Sequence, residues 1–173
     1  MRTAGPIRAL ELAVEGEKAS LKQYLEYAWL TRNEGGRGMF VRLALDEFGH
    51  MSLLERQLSS LAGSGCWRPE PVPKSDIESI VPRLAGRGPE VEGARGLTQL
   101  SALQTALDLE SRARDFYRAQ AGAAGEPAVR EMLTRLGEME QAHADLIQAE
   151  IDSINRTGFW LSFPEFTLEA PAR

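Results

Sequence analysis

Apolar and small side chains recur three or four residues apart through four stretches of the chain, the spacing of one buried face on an α-helix. Leu10, Ala13, Leu21 and Ala28 form the first stripe, and Glu17 and Tyr24 fall on it. The second runs Phe40, Leu43, Glu47, Met51, Leu54, Leu58, Leu61. The third runs Leu100, Leu103, Leu107, Glu110, Ala113, Tyr117, Ala121, and the fourth Val129, Met132, Leu136, Glu140, His143, Ile147, Ile151, Ile154. Breakers separate them: Asn33-Glu34-Gly35-Gly36, then Gly63 and Gly65, then Gly122 to Pro127, then Gly158. Pro6 and Pro127 suit first helical turns. No alternating pattern predicts a strand.

The stripes belong to a repeat. Glu17 and Glu110 are 93 residues apart, and so are Glu47 and Glu140, His50 and His143, Tyr24 and Tyr117, Leu10 and Leu103, Ala13 and Ala106. Each copy reads as a helical hairpin. Between the copies, residues 63–96 are rich in proline and glycine, with Ser75-Asp76-Ile77-Glu78 as a candidate capping box for one short helix. A connection this long has room to cross the bundle and return the chain to its other end. The pattern predicts an all-α chain with one domain over 1–173: a hairpin at 6–62, a crossover at 63–96, a hairpin at 97–157 and a tail at 158–173. The architecture is a four-helix bundle with one long crossover.

Composition narrows the function. A chain of 173 residues supports one sizeable core. The formal net charge is -5 and no Lys/Arg cluster stands out, which argues against nucleic acid as a partner. The single cysteine, Cys66, excludes an internal disulfide framework and a cysteine-rich metal site. Neither a secretory leader nor an uncharged run of membrane-spanning length is visible, so the expectation is a cytoplasmic protein without a membrane segment.

The polar residues on the apolar stripes carry the chemistry. Each of the two histidines has a Glu three residues before it and another thirty-three before it. Glu and His three apart share a helix face. The midpoint of Glu17 and Glu47 falls at the first hairpin's turn, and that of Glu110 and Glu140 at the second's. Both pairs therefore lie level, about 22 Å from their turns at ~1.5 Å rise per residue. Packing the hairpins brings Glu17, Glu47, His50, Glu110, Glu140 and His143 into one layer. One Glu from each of two helices plus Glu-x-x-His from the other two is the ligand set of di-iron and di-manganese carboxylate bundles. Four buried carboxylates repel unless two divalent cations neutralise them. An oxygen-rich site with two imidazoles suits iron or manganese, and zinc also accepts these donors. Tyr24 and Tyr117, two turns from Glu17 and Glu110, are candidates to bond a ligand carboxylate or to pass an electron. Asp46 is placed to orient an imidazole of the other hairpin, a one-sided support because the matching residue is Met139.

Glu17-Lys-Ala-Ser-Leu-Lys-Gln-Tyr24, Glu47-Phe-Gly-His50, Glu110-Ser-Arg-Ala-Arg-Asp-Phe-Tyr117 and Glu140-Gln-Ala-His143 resemble the rubrerythrin group of ferritin-like di-iron proteins, over nearly the whole chain. The tail Thr157-Gly-Phe-Trp-Leu-Ser-Phe-Pro-Glu-Phe resembles the ends of stand-alone members. The resemblance implies a homodimer, redox-active iron and reaction with hydrogen peroxide or oxygen, hence a non-haem di-iron peroxidase. Two positions depart from it. The Cys-x-x-Cys pairs of a rubredoxin module are lacking, so electrons are expected from a separate donor protein such as a rubredoxin. The family's extra glutamate, one turn after the third carboxylate, is Ala113 here. Other readings of the same ligands are a ferroxidase or iron-handling protein, a bundle whose metals only staple the helices, and a di-iron oxygenase whose organic substrate lies near Trp67 or near Phe159, Trp160 and Phe163.

Overall fold

The computed structural model describes residues 4–75, 77–78 and 96–161. Four helices make up the bundle: α1 (Ala4–Leu30), α2 (Glu34–Ser64), α3 (Gly96–Ala123) and α4 (Pro127–Thr157). α1 packs along α2 and α3 along α4, so the molecule is two hairpins joined by a long connection.

The breaks are shorter than the glycines imply. Only Thr31 to Asn33 separate α1 from α2, and Gly35 and Gly36 lie inside α2. Asn33 caps that helix, its side chain accepting from the Gly36 N–H at 2.9 Å. Gly36 is needed for a close approach: a Cβ there would sit 2.7 Å from the indole of Trp160. Gly63 and Gly122 are likewise helical, and α2 stops at Gly65 (φ 70°), as α4 stops at Gly158 (φ 77°). Both terminal glycines adopt the left-handed conformation that ends helices, and their N–H groups bond back to Leu61 and Ile154.

After Gly65 the chain turns back along α2. Arg68 is held by Gln57, Glu70 pairs with Arg56, Pro73 lies against Gly49, and the Ser75 hydroxyl donates to Asp46. Residues 66–75 thus run back along α2 past its middle. Of the capping-box residues, Ser75 accepts from the Ile77 N–H at 3.0 Å while Glu78 pairs with Arg135; Asp76 lies outside the described residues, as do most of the crossover, Phe163 and the rest of the tail.

Two apolar clusters fill the bundle. One holds Tyr24, Phe40, Leu43, Leu103, Ile147 and Trp160, with Ile77 of the crossover. The other holds Leu10, Leu54, Tyr117, Val129, Leu133 and Leu136. The 93-residue repeat exchanges them: Leu10 with Leu103, Leu54 with Ile147, Tyr117 with Tyr24. The molecule therefore has an approximate internal twofold relation, and a polar layer lies between the clusters.

Candidate metal centre

That layer is built by the middle of all four helices. Glu17 of α1, Glu47 and His50 of α2, Glu110 of α3, and Glu140 and His143 of α4 are all at most 4% exposed. The periodicity that buries Leu54 and Leu136 also drives these polar side chains inward.

Their atoms divide into two overlapping groups. Around His50 Nδ1 lie Glu17 Oε2 at 3.6 Å, Glu47 Oε2 at 3.4 Å and Glu140 Oε1 at 3.1 Å. Around His143 Nδ1 lie Glu110 Oε2 at 3.4 Å, Glu47 Oε1 at 3.3 Å and Glu140 Oε2 at 3.7 Å. Glu47 and Glu140 thus give one oxygen to each group, while Glu17 and Glu110 serve one group each. The candidate ligand atoms of each group lie within 4.8 Å of one another. The two imidazoles stack with ring centres 5.7 Å apart.

Both oxygens of Glu47, Oε1 of Glu140 and Nδ1 of both histidines are buried without a hydrogen-bond partner. Buried polar atoms are rarely left so, and several converging on one point call for an ion. Two divalent cations would balance four carboxylates and give each group three oxygens and one nitrogen, a donor set for a dinuclear centre. Without metal, protons do that work. Burial raises Glu47 well above the usual carboxylate range, and the charges of Glu140, Glu17 and Glu110 raise it further. Burial, with the charge of Glu140, raises Glu110 to about 8. Burial acts the same way on Glu140, but the close imidazoles of His143 and His50 overcome it and hold Glu140 below its ordinary value. Burial disfavours charged imidazoles, yet the carboxylates raise both histidines.

The surrounding contacts follow the repeat until Asp46. The Tyr24 hydroxyl donates to Oε1 of Glu110, and the Tyr117 hydroxyl to Oε1 of Glu17. Each phenol therefore reaches across to the other hairpin and turns the second oxygen of that carboxylate toward the centre. Burial raises both phenols well above their ordinary pKa, so they remain donors. Asp46 accepts from Nε2 of His143 at 3.0 Å, which fixes the tautomer that leaves Nδ1 free to bind. Ser75 anchors Asp46 in turn. Nε2 of His50 has no such partner, as Met139 in place of an aspartate predicts. Ala113 packs partly buried against the second apolar cluster.

Two features on the same 93-residue offset escape the stripes. Gln57 and Glu150, both fully buried, each hold the chain eleven residues on: Gln57 bonds Arg68, and Glu150 accepts from the Leu161 N–H at 2.9 Å. Trp67 and Trp160 follow the two left-handed glycines. The offset is their sequence signal. Among the described residues no helix is long and apolar enough to cross a membrane. No protein-family model matches the chain, and no curated protein or solved structure matches it either.

Proposed function

We propose that the chain is a rubrerythrin-like di-iron redox protein that reduces hydrogen peroxide with electrons from a separate donor protein. The observation that carries this reading is the pair of shared carboxylates, Glu47 and Glu140, each with one oxygen toward either imidazole. Two iron ions bound there would supply two electrons at one place, the number that converts peroxide and two protons to two waters. The protein's own part is to hold and to shield. Glu47 and Glu140 fix the spacing of the two halves. His50 and His143 complete one half each. Tyr24 and Tyr117 keep the outer carboxylates aimed inward. The apolar clusters above and below exclude bulk water. The test is anaerobic, iron-loaded protein mixed rapidly with either oxidant. About two irons per chain, oxidised faster by peroxide than by oxygen, is expected. Oxidation by oxygen at an equal or higher rate would favour the ferroxidase reading instead.

The partner of the first hairpin is a second copy of the chain. Leu25, Trp29, Val41, Leu45 and Phe48 lie exposed on α1 and α2, Trp29 at 89%. The repeat puts Arg118, Gly122, Thr134, Glu138 and Gln141 at the matching places on α3 and α4. One hairpin thus keeps an ordinary wet outer surface, while the other carries more large apolar side chains than an isolated surface usually retains. Aromatic and aliphatic residues of this size supply on the order of the ~800 Å² per partner that a specific interface buries. Replacing Leu45 by Glu and Phe48 by Gln, the residues that the second copy uses, is expected to convert dimer to monomer in sedimentation velocity with the helical content kept. A monomeric native protein would remove the proposal.

A further inference from the structure

The repeat predicts two equivalent bundle ends, and the structure breaks that equivalence. At the first end, Trp160 enters the core over Gly36 and meets Phe40 edge-on at 5.9 Å. Phe40 also contacts Tyr27 and Tyr24, at 5.3 and 6.2 Å between ring centres. Three aromatic rings, those of Trp160, Phe40 and Tyr27, therefore close the way to Tyr24. The depression outside them, about 780 Å³, ends on Phe40 and Trp160 and is edged by Thr31, Gln99, Ser101 and Thr105.

At the second end the tryptophan is kept but the parts around it are replaced. Val129 stands where Gly36 admits the indole, and Trp67 remains only partly buried. Leu133 stands in place of Phe40, and Gln120 in place of Tyr27. What remains is a cavity of about 560 Å³ that runs inward between α1, α3 and α4. Its walls are apolar, with Leu10, Leu54, Val129 and Leu133 beside the rings of Trp67 and Phe116. Its inner wall includes Tyr117, whose hydroxyl donates to Glu17. Arg8, Gln120 and Glu126 also line it, and Arg8 and Glu126 are exposed.

We infer that this cavity is a binding site for an uncharged, largely apolar small organic molecule, seated against Tyr117 one hydrogen bond from the metal centre. The volume lies in the range of ligand pockets, and the wall chemistry is theirs: apolar and aromatic surface with a few polar groups. A charged molecule finds no buried counter-charge among these wall residues. An occupant would press on the ring of the phenol that aims Glu17, so the site couples to the His50 half of the centre and has no counterpart at the His143 half. The inference places a ligand and does not depend on which oxidant the metals meet.

The test uses the full chain, metal-loaded and metal-free, titrated with the uncharged fluorophore N-phenyl-1-naphthylamine. One probe per chain is expected, with energy transfer from Trp67. Leu133→Phe rebuilds the plug of the other end and should weaken binding at least tenfold without changing the metal content. Ala9→Trp, which narrows the mouth from α1, should do the same should the first variant fold poorly. Probe binding that both variants leave unchanged would overturn the inference, and so would failure to saturate at one per chain. Binding abolished instead by the Leu45→Glu/Phe48→Gln pair would place the probe on the exposed face of α1 and α2 and also overturn it.

Discussion

Glu140→Gln is expected to remove both metals from the protein, whereas Glu17→Gln removes one. The two side chains are equally buried carboxylates in the same layer, so burial does not separate them. Sharing does. Glu140 places Oε1 beside His50 and Oε2 beside His143, and an amide presents only one oxygen where the carboxylate presented two. Glu17 faces His50 alone, and its other oxygen is already taken by Tyr117. Partners that merely orient metal ligands are worth 10–100-fold in affinity, so losing a shared ligand should lower affinity for both ions by more than ~100-fold. Metal analysis after gel filtration reads the result directly: about two ions per native chain, one in Glu17→Gln, close to none in Glu140→Gln. Calorimetry in buffers of different ionisation enthalpy adds a second reading. Burial raises the pKa of Glu110 to about 8, so its carboxyl must lose a proton when metal enters and uptake should release protons at pH 7. Equal metal contents in the two variants would mean that the carboxylates are not shared as the geometry has them.

The site was legible because its signal is doubled. A single Glu on an apolar stripe is weak evidence, but Glu17, Glu47 and His50 recur intact 93 residues later, and the hairpin geometry makes them level. Asp46 was legible for a related reason: it precedes a candidate ligand in one copy, and its match is a methionine. The helix ends were less so. Glycine reads as a breaker, yet Gly35, Gly36, Gly63 and Gly122 are helical, because a single residue's propensity is a weak force against the rest of a long helix. Gly36 is retained for the indole of Trp160, a partner well over a hundred residues away that no local window contains. The cavity at the second bundle end was out of reach for the same physical cause. It is a difference between two packed ends, set by Val129, Leu133 and Gln120 against Gly36, Phe40 and Tyr27, and each of those residues alone is ordinary.

Glu150→Gln should stabilise the metal-free protein, and the gain should grow with pH. Glu150 is fully buried on α4; Oε2 accepts from the Leu161 N–H, and Oε1 has no partner. Burial raises its pKa to about 8, only partly offset by that hydrogen bond. An unfolded glutamate titrates near ~4.3. Because the folded value is the higher one, the folded state holds the proton more tightly. The associated stability is fully present below ~4.3 and is lost as pH rises to about 8, at a slope near 1.4 kcal/mol per unit. Glutamine has no proton to lose and keeps the acceptor. It also offers an N–H₂, which Gln57 uses at the matching place to donate to the Arg68 carbonyl at 2.7 Å. The variant should therefore match the native protein within ~1 kcal/mol at pH 4 and exceed it by roughly 3–5 kcal/mol at pH 8. Urea unfolding of both proteins across that range isolates the effect, since the metal ligands titrate alike in each. A gain independent of pH would mean that Glu150 is ionised throughout and that a charge, not a proton, holds Leu161.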